Sequence, residues 1–184
     1  MSVNLWIKTN KQLEDLNYYK STWPIRFEKE INASTKDIWR IISKEGNLNH
    51  IHPFCKENHT ILWDGENSKD TLEYINGLKF IREFKTWNPG LGYSLLIGTK
   101  NGNKSYVEWE IIIKNQKNYL SITVYPHFMR KYPKIISFFP YKFKVKPYLK
   151  KYLKSVTGGV DYYLKNKKNV PVNYFGEHKW FSKK

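Results

Sequence analysis

The segment Asn47–Trp63, NLNHIHPFCKENHTILW, places His50, His52, His59 and the chain's single cysteine, Cys55, within ten positions of one another. Imidazole and thiolate are donors that suit zinc and iron, and imidazole also moves protons near neutral pH. The spacing matches no specific metal motif. His50 and His52 lie two apart, so a helix would aim them in different directions, and Pro53 puts a turn or helix end beside them. No metal is assigned to the cluster. Hydrogen bonding around Pro53, a catalytic role and a place beside a pocket all stay open.

Arg82 is the second residue with chemical potential. In LKFIREFKTW, residues Leu78, Phe80, Arg82 and Phe84 share one strand face, while Lys79, Glu83 and Lys85 share the other. A guanidinium on the apolar face must be paired. Glu73, Glu108 and Glu110 are candidate partners within the chain, and a ligand carboxylate or phosphate is the alternative. In that alternative, Arg82→Met would abolish binding of an acidic ligand and leave the fold intact. Tyr74, Tyr93, Trp109, Tyr125, Tyr152 and Tyr163 could line a cavity for flat or fused-ring molecules or simply fill a core.

Other chemistry has little support. There is no nucleophile elbow, zinc-protease motif, matched acid pair or nucleotide-binding glycine loop, so no cofactor is expected and catalytic residues stay unassigned. The net charge of +16 would attract polyanions. Only Arg26, Arg40, Arg82 and Arg130 are arginines among 32 basic residues, and the lysines accompany many Asn, Ile and Tyr, all drawn from AT-rich codons. With no nucleic-acid-binding signature, nucleic acid is not the expected partner.

The elements that must position these residues read as a single α+β domain, which suits 184 residues with 40% hydrophobic and 17% aromatic content. Trp23–Asn32 alternates as a half-buried strand. Ser34 with Asp37 three residues later opens a short helix carrying Ile38, Trp39, Ile41 and Ile42, which Gly46 ends. Six strand-like runs follow, HTILWD, DTLEYIN, LKFIREFKTW, YSLLIGT, SYVEWEIII and YLSITVY, joined by turn pairs such as Asn76-Gly77 and Pro89-Gly90. Val145–Lys167 then carries an apolar stripe through Leu149, Tyr152, Leu153, Val156, Val160, Tyr163 and Leu164, the mark of a long amphipathic helix. Gly158-Gly159 interrupts it, either to open space or to admit a close backbone neighbour.

The order β-α-α-β6-α, with GNLNHIHPFCKEN, DTLEYINGLKFIREFKTW and PYLKKYLKSVTGGVDYYL followed by NYFGEHKWFS, resembles the START-like, helix-grip (SRPBCC) superfamily, and in particular its uncharacterised bacterial members. The resemblance covers roughly Pro24–Lys167. It implies a curved antiparallel sheet of about seven strands wrapped around the long C-terminal helix, with a hydrophobic cavity between them. Residues 1–22 would be an N-terminal extension, 23–168 the helix-grip domain, and 169–184 a tail packed on it.

Members carry lipids, sterols, polyketides or plant hormones, or catalyse cyclisation or dehydration. The expected function is therefore binding of a hydrophobic small molecule or lipid. His52, Arg82, Tyr74, Tyr93, Trp109, Tyr152 and Tyr163 are the candidate ligand contacts, His52 because the superfamily places that loop at the cavity mouth. In a cyclase- or dehydratase-like enzyme acting on a polyketide-like or aromatic substrate, His52 or a tyrosine would serve as general acid or base and Arg82 would stabilise an enolate-like anion.

The stretch Pro126–Lys144 departs from the superfamily pattern. It mixes Phe128, Tyr132, Ile135, Ile136, Phe138, Phe139 and Tyr141 with lysines and Arg130, and packing of those aromatics on the barrel is preferred over contact with an anionic membrane surface. No apolar run reaches the length of a membrane helix and the start lacks a signal-peptide pattern, so a cytoplasmic location is expected.

Overall fold

A computed structural model describes residues 10–128 and 130–183. Seven antiparallel strands form one sheet, β1 (Ile25–Glu30), β2 (Cys55–Leu62), β3 (Lys69–Tyr74), β4 (Lys79–Asn88), β5 (Gly92–Gly98), β6 (Ser105–Lys114) and β7 (Lys117–Tyr125), in the order β1-β7-β6-β5-β4-β3-β2. Strands β2 to β7 are a meander in which each pairs with the next, and β1 closes onto β7 with Phe27 opposite Ile122. The β6–β7 hairpin turns on Asn115 and Gln116, both with positive φ, the pair of left-handed conformations that a type I′ turn requires.

The helices are α1 (Asn10–Tyr19), α2 (Thr35–Ile42), α3 (Leu48–Ile51), α4 (Lys134–Pro140) and α5 (Lys146–Asn166). Helix α2 starts as its sequence requires: the Ser34 hydroxyl oxygen accepts from the Asp37 backbone N–H at 3.0 Å. Helix α5 lays Leu149, Leu153, Val156, Val160 and Leu164 against the sheet, all buried. Pro140 and a π-helical turn over Tyr141–Val145 join α4 to α5 at a bend.

Gly158-Gly159 serves close approach. A Cβ at Gly159 would stand 2.0 Å from the Ile51 carbonyl oxygen, and one at Gly158 would stand 2.8 Å from the Phe175 ring. The missing side chains let α5 press against the end of α3 and the loop that carries His52.

The residues after α5 fold back over that junction. The Val170 N–H donates to the His50 carbonyl and the Asn173 N–H to the Pro53 carbonyl, each at 2.9 Å. His178, fully buried, donates from Nε2 to the Tyr148 carbonyl at 3.0 Å, and Phe181 stacks on Tyr74 with centroids 4.5 Å apart. Residues 1–9 of the N-terminal extension lie outside the described residues.

Candidate ligand cavity

Between the inner face of the sheet, α5 and the C-terminal residues lies a cavity of about 450 Å³. Its wall is built mostly of aliphatic and aromatic side chains, among them Leu72, Leu95, Val107, Ile122, Leu153 and Val156. Phe128 and Lys144 are the wall residues exposed to solvent, so the mouth lies where the chain leaving β7 meets the start of α5.

Five of the seven candidate residues meet on this wall: His52, Tyr74, Arg82, Trp109 and Tyr152. The other two stand apart. Tyr93 is buried in an aromatic stack between Trp87 (5.7 Å) and Trp109 (5.6 Å), and its hydroxyl faces Arg82 and Asn47 without a formed hydrogen bond. Tyr163 follows Tyr152 by eleven residues, which keeps it near the same helical stripe but carries it about 16 Å further along the axis. There it packs beside His50, beyond the cavity wall.

The histidine cluster disperses. His50 Nδ1 lies 2.9 Å from the Asn169 side-chain oxygen, His59 is exposed on β2, and the Cys55 thiol, pushed up to about 12 by burial, faces Asn49. Among the described residues no three His, Cys, Asp or Glu side chains form a group able to hold a metal ion.

His52 alone turns inward, where burial, reinforced by the nearby Arg82 charge, lowers its pKa to about 3. Two asparagines hold its loop. Asn58 accepts from the Leu48 N–H at 3.3 Å and donates to the Thr71 carbonyl at 2.9 Å, while Asn49 donates to the Asn58 carbonyl at 2.9 Å.

His52 heads a chain of hydrogen bonds. The Phe54 backbone N–H, which can only donate, points at His52 Nδ1 at 3.2 Å. A neutral ring that accepts at Nδ1 carries its proton on Nε2. That proton faces the Tyr152 hydroxyl oxygen at 2.8 Å, and the Tyr152 hydroxyl lies 3.0 Å from that of Tyr74. Burial drives both phenols upward, so both stay protonated.

Arg82 is held from beneath. Its Nε donates to Asp70 Oδ1 at 2.8 Å, and its Nη2 donates to Asp70 Oδ2 and, at 3.4 Å, to the Asn47 side-chain oxygen. Asp70 is fully buried and lies directly opposite Arg82 in the β3–β4 register.

The three glutamates considered from the sequence are engaged elsewhere, which corrects the choice of partner. Glu73 pairs with Lys56 and Lys79, Glu108 with Lys20, and Glu110 with Arg26. The signal for Asp70 was present in β3, where Asp70, Leu72 and Tyr74 alternate inward and Glu73 outward. Phe181, Trp180, His127 and Ser105 also border the cavity and were not singled out. The first two belong to the aromatic tail motif, so only their destination was hidden.

A long helix gripped by a curved seven-stranded antiparallel sheet, with a cavity between them, decides the architecture. This is a helix-grip fold. Solved structures share it. SA2116, a protein of unknown function from Staphylococcus aureus, aligns over 79% of this chain and 94% of its own with a TM-score of 0.62 at 11% identity. Ara h 8.0201 aligns over 78% of this chain and 99% of its own, with a TM-score of 0.57 and 9% identity. DynU16, from the dynemicin biosynthetic locus, aligns over 79% of this chain with a TM-score of 0.61 and 13% identity, and this chain covers 48% of it, about half its length. At these identities the likeness establishes the helix-grip fold and leaves the ligand open. No protein-family model and no curated protein matches the chain.

Proposed function

We propose that this protein binds a hydrophobic small molecule or lipid in the helix-grip cavity. The observation that carries the reading is the cavity itself, about 450 Å³ with a largely apolar wall and a few polar groups in one corner. Ligand pockets commonly span roughly 300 to 1,000 Å³ with that composition. Nile red titration of the wild type and of cavity-filling variants tests it.

A cyclase- or dehydratase-like enzyme is the second reading, supported by the likeness to DynU16 from the dynemicin biosynthetic locus. The polar corner favours binding over it. A general base must hold a free lone pair at working pH, and both nitrogens of His52 are engaged while burial disfavours its cation. The buried phenols are held protonated and can donate hydrogen bonds, but they cannot act as bases near neutral pH.

The mouth supports an anionic membrane surface as the place of loading. Only one side of α4 and the bend is packed, where Phe138 and Tyr141 lie against Trp23. Ile135, Ile136, Phe139 and Phe143 are 82%, 56%, 65% and 68% exposed, against the expectation that the aromatics of this stretch pack on the barrel. Residues 126–146 hold Arg130, Lys131, Lys134, Lys142, Lys144 and Lys146 and no Asp or Glu. A basic residue near an anionic bilayer contributes on the order of 1 kcal/mol, and apolar side chains add to it by insertion.

The protein is therefore expected to co-sediment with vesicles of phosphatidylcholine and phosphatidylserine at low salt, less so at high salt, and several-fold less with Ile135→Ser/Phe139→Ser. No sedimentation at low salt would refute the membrane contact and leave the cavity reading standing. Among the described residues no helix is long and apolar enough to cross a membrane.

A further inference from the structure

The chain His52–Tyr152–Tyr74 contains three donor protons and two hydrogen bonds. His52 Nε2–H supplies the first bond, to Tyr152, and the second runs between the two phenols. Whichever phenol donates to the other, one O–H remains without an acceptor among the described residues. If Tyr152 donates, the unengaged O–H belongs to Tyr74; if Tyr74 donates, it belongs to Tyr152. Both residues line the cavity. A buried donor left unpaired is costlier than an acceptor with one lone pair unmatched.

The charges beside this donor already balance. Arg82 is neutralised by Asp70 in a buried pair, and His52, with Nδ1 accepting from a backbone N–H, is uncharged. A carboxylate or phosphate entering this corner would bring an unmatched charge into an apolar enclosure, which costs far more than its hydrogen bond returns. A neutral acceptor brings the hydrogen bond without the charge.

We infer that the cavity selects a neutral, ring-based or otherwise apolar molecule whose oxygen acceptor, a ketone or similar carbonyl, takes the free phenol O–H of the Tyr74–Tyr152 pair. The inference rests on the cavity reading proposed above and names the ligand class for that site. It also replaces an acidic ligand on Arg82 with a neutral one on the phenols.

Three probes of one shape test it: fluorene, 9-fluorenone and fluorene-9-carboxylate, titrated separately at pH 7 with the protein's tryptophan fluorescence as readout. An apolar wall alone prefers the hydrocarbon. The phenol donor reverses that order, with fluorenone about three- to tenfold tighter than fluorene, and the carboxylate weakest. Each single variant, Tyr74→Phe or Tyr152→Phe, retains one phenol O–H and keeps the ketone preference, whereas Tyr74→Phe/Tyr152→Phe combined with His52→Leu, which keeps the freed His52 Nε2–H from taking the phenols' place, loses it.

A red-shifted carbonyl stretch of bound fluorenone in the infrared, absent in the variant that lacks both phenols and the His52 donor, gives a second readout in the wild-type protein. Fluorene binding as tightly as fluorenone, or the carboxylate binding best, overturns the inference while leaving the cavity reading intact. Failure of all three to bind overturns the cavity reading with it.

Discussion

Arg82→Met is expected to lower the unfolding free energy by about 3–5 kcal/mol, the usual consequence of leaving one partner of a buried ion pair alone. Asp70 is fully buried, and the Arg82 guanidinium supplies hydrogen bonds to both of its carboxylate oxygens. Removing the guanidinium strands the carboxylate and also takes a donor from Asn47, whose amide holds the end of α2 through the Ile42 carbonyl. Urea unfolding measures the loss. Arg82→Met/Asp70→Leu should recover most of it, because apolar side chains of similar volume replace a buried pair at little or no cost. A loss below 1 kcal/mol in the single variant would mean that the pair is not formed. The substitution therefore reports on stability first, and ligand binding is better probed at the phenols.

Gly159→Ala is the second large effect. A helix ordinarily gains about 1 kcal/mol from glycine to alanine. Here the added methyl would stand 2.0 Å from the Ile51 carbonyl oxygen and 3.3 Å from the Pro53 ring. Both belong to the backbone or to a fixed ring, so no side-chain rotation relieves the clash, and α5 must move away from the loop that carries His52. The expected net loss is about 1–3 kcal/mol, read as a lowered Tm.

Gly158→Ala is the control, because its methyl meets the tip of the Phe175 ring, a partly exposed side chain that can shift. Its Tm should stay close to wild type. Equal stability of the two variants would show that the contact between α5 and Ile51 is looser than described.

How far the sequence reached depended on the range of the interactions involved. Strand alternation and helical periodicity are local, so the meander and α5 were legible, down to the start of α2 at Ser34. The inward direction of Arg82 followed from period two alone. Its partner did not, because pairing Asp70 with Arg82 requires the β3–β4 register, which a turn at Asn76-Gly77 leaves undetermined by a residue or more. Tyr163 shared the stripe of Tyr152, but periodicity gives direction and not distance along the axis, so it could not show that the cavity ends first.

Among the three histidines of the Asn47–Trp63 segment, only His52 enters the interior, where the loop that carries it meets α5 at Gly159. The exposure of Ile135, Phe139 and Phe143 ran against composition, since aromatic runs are usually buried.

The most direct test of the central claim is a Nile red titration of the wild type beside Val107→Phe and Val156→Phe, two substitutions that add ring volume to opposite walls of the cavity. The cavity reading predicts one dye site per chain in the wild type, with blue-shifted emission, and binding weakened at least tenfold in each variant that keeps the wild-type circular dichroism spectrum. Absence of dye binding, or binding unchanged in a folded, filled variant, would contradict it.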